Sequence, residues 1–589
     1  MKRFLSHSLL FLIVLFGSTA VLQATPIISF MDGVTAISPA NFDQVQTEPT
    51  STTNTRLGSG ACTSIADGGV DNTCLGSNAG TAITTGDRIT AIGDDAATTI
   101  TTNADITAVG HHALTLNTAG GNSAFGSLSL DANVQGVRNV AVGYQSGTAQ
   151  SAVGDNDNTW IGYNAGLSAT GSASGKNTVV GSLAGDAITT SAENTAIGYK
   201  ALSAAAGNSN TAVGADALER NTASDNSAVG AGALFANVIG VRNTAFGRSA
   251  GSAQAGASDN NNTWIGYNAG AVANGSASGQ NTAVGTYSMN NATTGERNTS
   301  LGYGSLSGAG DYDDNVAVGQ FSLNANTANA NTGVGVRSLY SNVTGLRNVA
   351  VGYRAGESQA GVTDDDNTWV GYDAGRLATG SSSGSNTGVG AQVLDVLTTG
   401  IQNTVVGSFS GGTLTTGSGN TIFGSGNNAS SASGAGQIIL GDNLTGTANS
   451  RVHIGDGTSH IYADYNSAAT WTHSSDARMK NYVGPSSLGL AFINNLDVLT
   501  YRFKPVKEWP KKWKASDDGS IDTKQVHTGL FAQDVQDALR IAGVDPDSFA
   551  GWDKLPNGKQ QISEAAFIFP LIQAIHELTV RVEELESRQ

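Results

Sequence analysis

One short pattern recurs along most of this chain and constrains its fold more than any other feature: Asn-Thr-Ala-Val-Gly-x-x-Ala-Leu/Gly. Its first position falls at 54, 72, 89, 106, 122, 139, 158, 177, 194, 210, 226, 243, 262, 281, 298, 315, 331, 348, 367, 386, 403 and 420, which is 22 copies spaced 16 to 19 residues apart. The fifth position is glycine in every copy, from Gly58 to Gly424. The fourth is large and apolar, as in Ile92, Val109, Phe125, Val142, Ile161 and Val180. Two weaker copies, at Gln437–Gly441 and Arg451–Gly455, close the array. A unit this short cannot bury a face alone, so the repeat predicts a stacked solenoid. Coils at the spacing of paired strands, about 4.8 Å, give a parallel sheet and a rod of roughly 110 Å. The invariant Gly predicts a positive-φ turn or a close backbone approach. The recurring Asn predicts a side-chain ladder or a turn. The fourth position is expected to form the core column.

Composition supports this reading. The 589 residues include 77 Gly but only 9 Pro, with 13% charged and 6% aromatic residues. No Pro lies between Pro49 and Pro485, as expected where nearly every N–H is needed for a ladder. The Gly has no collagen period, and the apolar spacing fits neither a helical bundle nor disorder.

A longer period is superimposed. Trp160, Trp264 and Trp369 lie 104 and 105 residues apart, each in Asn-Thr-Trp-Ile/Val-Gly-Tyr, so six coils form a super-repeat. Each Trp takes the place of the usual Ala, beside the expected core position. It is therefore expected to face outward, into a subunit interface or onto sugars. The runs Asp155–Asn158, Asp259–Asn262 and Asp364–Asn367 precede the tryptophans. They read either as solvated turns or as calcium loops, although their spacing matches no EF-hand.

Net charge is −17, of which residues 475–589 carry −2 and residues 1–474 carry −15. Such an acidic rod disfavours nucleic acid and anionic lipid as partners. Lys2 and Arg3, the apolar run Leu9–Phe16 and small residues to Ala20 or Ala24 have the layout of a secretory signal peptide. No embedded membrane domain, metal or cofactor is expected. Cys62 and Cys74 are either a disulfide clipping the first coils or two buried thiols.

The repeat over about residues 54–455 resembles the left-handed parallel β-roll heads of trimeric autotransporter adhesins and repeats of phage tail fibres. That resemblance implies a homotrimer with three rolls side by side. Unlike an autotransporter, the chain shows no membrane β-barrel at its C-terminus.

Lys, Pro and aromatics appear after Trp471. Ser475-Asp476-Ala477-Arg478-Met479-Lys480 comes first, then Gly529-Leu530-Phe531-Ala532-Gln533 and a helix to Ala542. A terminal helix carries Ile568, Leu571, Ile575, Leu578, Val582 and Leu585 at coiled-coil spacing. In that order the motifs resemble the endosialidase-type intramolecular chaperone domain, the self-cleaving C-terminal peptidase of phage tail spikes. The resemblance implies a trimeric folding aid that cuts itself off. Carried over, Ser475 is the nucleophile, Lys480 the base and the Ser474–Ser475 bond the cut site, with Asp476 and Arg478 holding the segment. Whether the Ser/Lys pair acts within or between chains stays open. His473 is a bystander in this reading.

The expected organisation is a leader (1–24), a linker (25–53), a mainly β roll shaft (54–455), a connector (456–474) and an α/β chaperone (475–589). The expected role is an exported surface or extracellular fibre, for adhesion to a host-cell or glycan receptor or for structure. Its rivals are a phage-type receptor-binding fibre, a fibre with an uncleaved trimerisation cap, and a polysaccharide-active enzyme. No distinctive carboxylate pair supports the enzyme.

Overall fold

Each copy of the pattern forms one very short strand, because the glycine at its fifth position stops the extended run. In a computed structural model of the chain these strands run from β1 (Thr55–Leu57) to β22 (Thr421–Phe423). The structure describes residues 53–65, 68–150, 154–169, 175–256, 259–272, 279–359, 364–378, 384–465, 472–473, 478, 480–505, 508–510, 513 and 524–588. The leader and nearly all of the linker fall outside them. The chain divides into two units, Met1–Ser474 and Ser475–Gln589.

In the first unit every strand pairs in parallel with the next copy's strand. Thr55, Arg56 and Leu57 of β1 lie opposite Thr73, Cys74 and Leu75 of β2 (Thr73–Leu75), and this one-to-one register recurs up the stack. β23 (Ile438–Asp442) and β24 (Arg451–Asp456) continue it. The array then ends in an antiparallel meander of β24, β25 (His460–Asp464) and β26 (Thr472–His473).

The strands alternate, so only one residue of three faces inward. That residue is the third of the pattern, not the fourth. Ala91, Ala108, Ala124, Ala141, Trp160 and Val179 are fully buried, whereas Phe125, Phe246 and Leu301 at the fourth position are 44, 59 and 48% exposed. The expected core column therefore runs along the outside. The reason is space. Each narrow coil also buries its eighth and ninth residues, as Ala233 and Leu234 join Ala228, and a large strand side chain would collide with them.

The tryptophans show how tightly that space is filled, and they correct the expectation that they face outward. Trp160, Trp264 and Trp369 are fully buried. Each sits where the ninth position is Gly, both in its own coil and in the preceding one. A Cβ on Gly166 would stand 2.1 Å from Trp160, and one on Gly147 2.6 Å from it. The indole Nε1 donates to Gln150, Gln254 and Gln359 Oε1 at 3.1, 2.8 and 3.0 Å respectively.

The fifth-position glycine is required on two grounds. Gly247 has φ +139°, and a Cβ there would lie 2.5 Å from the carbonyl oxygen of Gly266 in the next coil. The first-position asparagines form the predicted ladder. Asn243 Oδ1 accepts from Asn262 N at 2.9 Å, and its Nδ2 donates to the Asp259 carbonyl at 2.6 Å. The same bond links Asn139 to Asn122 and Asn158 to Asn139. Coils β3 (Ile89–Ile92) and β4 (Ile106–Val109) interrupt it with Ile89 and Ile106. Asn243→Ala leaves the buried Asn262 N–H without its acceptor, while the Asp259 carbonyl keeps its bond from Gln254 Nε2. We expect it to cost about 1–3 kcal/mol, read as a lower urea midpoint of the full chain, whereas an exposed Thr244→Ala should change little.

Cys62 and Cys74 are disulfide-bonded, with Cα atoms 5.9 Å apart, so the first two coils are clipped together.

Candidate functional site: the C-terminal unit

The second unit is built around one small core. Leu488, Phe492, Val535, Ala538, Leu539, Trp552 and Phe567 are buried together. They come from α1 (Leu490–Ile493), α2 (Ala532–Ile541), β29 (Trp552–Lys554) and the turn preceding α3 (Ile568–Glu586). Both helices fall where the sequence places them. β27 (Leu499–Tyr501) pairs antiparallel with β28 (His527–Gly529), and β29 with β30 (Gln560–Ile562).

The Gly529-x-x-Ala532-Gln533 motif joins β28 to α2. Its Ala532 carbonyl accepts from Trp552 Nε1 at 2.8 Å, which ties the start of α2 to β29. Beside it opens a cavity of about 400 Å³, lined by Tyr501, Phe503, Trp509, Phe531, Gln533 and Gln560, with Arg502 and Lys504 at its wall. This cavity was not visible in the sequence, because three separate segments contribute to it.

Of the expected cleavage residues, Ser474, Ser475 and Asp476 lie outside the described residues. Arg478 and Lys480 are described, and both are exposed.

α3 buries Pro570 and Ala574 and is tied to the start of α1 through Glu577. Leu490 N donates to Glu577 Oε2 at 2.8 Å, and Gln573 Nε2 donates to Glu577 Oε1 at 3.0 Å. These bonds, that of Gln573 first, hold the Glu577 carboxyl below its ordinary range. The seam residues Ile568, Leu571, Ile575, Leu578, Val582 and Leu585 are all exposed. The stretch Glu564–Glu586 is 23 residues long and contains an 18-residue window of mean hydropathy 1.3, enough by length and composition to cross a bilayer.

Each acidic run of the shaft combines a buried Asp with an exposed residue, Asp157, Asn261 or Asp366. Asp155, Asp259 and Asp364 are fully buried, and their carbonyls accept from Asn139, Asn243 and Asn348. Asn156 Oδ1 takes the Val137 N–H at 2.8 Å, and Asp157 pairs with Arg138 at 2.6 Å. Arg138 keeps the Asp157 carboxyl below its usual range by hydrogen bonding. Among the described residues no group of three or more His, Cys, Asp or Glu side chains is placed to hold a metal ion.

At the end of the shaft His453 is fully buried on β24, with ring contacts to His460 and Tyr462. Its Nε2 accepts from Thr447 N at 3.3 Å, and its Nδ1 has no hydrogen-bond partner. Burial, then the nearby His460 and Arg451, push its pKa down to about 4. The folded ring stays neutral while the unfolded one gains a proton below its ordinary value of about 6.5. Stability should therefore fall as pH drops from about 6.5 towards 4. Melting temperature against pH checks this, and His453→Gln should flatten the part of the curve between those values.

Comparison with known proteins agrees with the motifs. Residues 475–544 match the model of a peptidase family described as chaperone of endosialidase. The match lies behind the long solenoid, in the fibre-plus-chaperone order that the resemblance implied. No curated protein and no solved structure matches the chain.

Proposed function

We propose that this chain is an exported, trimeric surface or extracellular fibre, whose C-terminal unit assembles the shaft and then severs itself at Ser474–Ser475. The observation that carries the reading is a stack of 22 short parallel strands followed directly by the chaperone-of-endosialidase match at residues 475–544. Two outward apolar surfaces support a trimer. One is the exposed fourth-position stripe, including Phe125, Phe246, Leu301 and Phe423, and the other is the α3 seam. The 3-4 spacing of that seam, with Glu577, Arg581 and Glu584 elsewhere on the helix, favours a coiled coil over a membrane span. The Cys62–Cys74 bond suits an oxidising compartment, in keeping with the leader.

In the cleavage step Lys480 takes the Ser475 Oγ proton and Oγ attacks the carbonyl carbon of Ser474. The C–N bond breaks, the nitrogen takes the proton back, and an ester replaces the amide. Water then attacks the ester, leaving a carboxylate on Ser474 and a free amine and hydroxyl on Ser475. Nucleophile and target are adjacent in the chain, so the reaction is intramolecular and occurs once per molecule. Intact mass spectrometry of the purified chain tests the reading. A fragment starting at Ser475 is expected, and a folded trimer that stays whole overturns the peptidase reading.

A further inference from the structure

Beyond the glycine that ends each strand, the sixth or seventh position of the pattern, and in the coil of β17 the tenth, carries an exposed or half-exposed aromatic residue in successive coils. The longest run spans β13 (Thr263–Ile265), β14 (Thr282–Val284), β15 (Thr299–Leu301), β16 (Val316–Val318) and β17 (Thr332–Val334). Its rings are Tyr267, Tyr287, Tyr303, Phe321 and Tyr340, with neighbouring centroids 5.4, 6.0, 5.2 and 6.2 Å apart and ring planes 86–87° to one another. Arg248 lies 5.9 Å from the Tyr267 ring at one end, and Arg337 lies 4.6 Å from Tyr340 at the other. The next two coils extend the strip with Tyr353 and Tyr372, stacked at 5.6 Å beside Arg354.

This strip differs in chemistry from the fourth-position stripe. The stripe is mostly aliphatic and runs the whole shaft, which suits a second copy of the chain. The strip consists mainly of tyrosines, whose rings are apolar and whose hydroxyls seek polar partners. Each ring is braced by its neighbours, so little freedom is lost when a ligand lies on it. The pitch is that of the coils, about 4.8 Å per step, so the six steps from Tyr267 to Tyr372 extend about 29 Å along the stack. Two of the three arginines on the strip are balanced in place: Arg337 pairs with Glu357 at 2.7 Å and Arg354 with Asp373 at 2.8 Å. The chain as a whole is strongly acidic, at −17, so a polyanion would be repelled.

We propose that this strip binds a linear neutral polysaccharide laid along the rod, with sugar C–H faces on the rings and sugar hydroxyls on the tyrosine and arginine groups. The proposal goes beyond the fibre reading, and its readout does not depend on self-cleavage.

The test is native affinity electrophoresis of the full chain in gels containing hydroxyethylcellulose, laminarin, xylan or galactomannan, with alginate as the polyanionic control. At least one neutral polymer is expected to retard the protein. Tyr287→Ala/Tyr303→Ala should weaken that retardation at least tenfold, whereas Tyr287→Phe/Tyr303→Phe should keep most of it. No retardation in any neutral gel, equal retardation of the alanine variant, or stronger retardation by alginate would overturn the proposal. Native mass spectrometry of the same variants covers the competing occupant: if the alanine pair lowers the oligomeric mass, the strip is a contact between copies and the proposal fails.

Discussion

Ser475→Ala is expected to leave the chain uncut after Ser474, where the wild type is expected to release a C-terminal fragment of 115 residues. The effect is all or none because the alanine has no oxygen to carry the acyl group, and an unassisted peptide bond does not break on the time scale of expression. Lys480→Ala should also stay whole, for a different reason. A serine hydroxyl is a weak nucleophile until a base removes its proton. Ser475→Cys separates the two roles, since a thiol needs less help from the base and should retain some cleavage. Every uncut variant should keep the oligomeric mass and the melting behaviour of the shaft, which distinguishes lost chemistry from lost folding. A Ser475→Ala chain that still parts before residue 475 would remove the nucleophile assignment, and one that no longer assembles would make this serine a folding residue. Under the proposed function, cleavage would also make assembly one-way, because the unit that guides folding would be gone once the bond is cut.

The sequence exposes the repeat because backbone demands repeat with it. The asparagine ladder and the fifth-position glycine are needed in nearly every coil, so they recur at fixed spacing and identify themselves. Side-chain direction is harder to read. A strand such as β11 (Ser227–Val229) has two outward positions and one inward, and the larger residue, Val229, looks like core although Ala228 is the buried one. The rule that apolar residues lie inside works in one direction only. It fails here because the interior of a narrow coil is already taken by Leu234 and its equivalents. A correcting signal was nonetheless present in the sequence: wherever Trp replaces Ala at the third position, Gly replaces Leu at the ninth. The glutamines that receive the indole N–H also lie in phase, ten residues before each Trp. In the C-terminal unit the terminal helix was legible from its periodicity and α2 from its place after the Gly-x-x-Ala-Gln motif, whereas the four-residue α1 was not read. The cavity was not, because Tyr501, Phe531 and Gln560 meet only in the folded unit.

That exchange of volume between the third and ninth positions leads to the second large prediction. Trp264→Ala empties the largest side chain of its coil and leaves Gln254 Oε1 without its indole donor, so it should cost about 3–5 kcal/mol. Gly270→Leu alone should be at least as damaging, because even a Cβ there would lie 2.3 Å from the Trp264 ring. In its own coil the double variant Trp264→Ala/Gly270→Leu restores the ordinary pairing of Ala at the third position with Leu at the ninth, as in Ala228 and Leu234, while Gly251 of the preceding coil stays unfilled. The backbone already accommodates that leucine: Leu234 has φ +50° and Gly270 has φ +59°. The two substitutions touch one space, so their effects should not add. The double variant should recover part of the stability lost by either single one, measured as the urea midpoint of the full chain. A double variant as unstable as the sum of its parts would mean that the tryptophan is retained for its indole–Gln254 bond or its stacking on neighbouring coils, and not for the volume it shares with the glycine. Rescue would instead show that each coil has a fixed interior volume, which two positions can divide in more than one way.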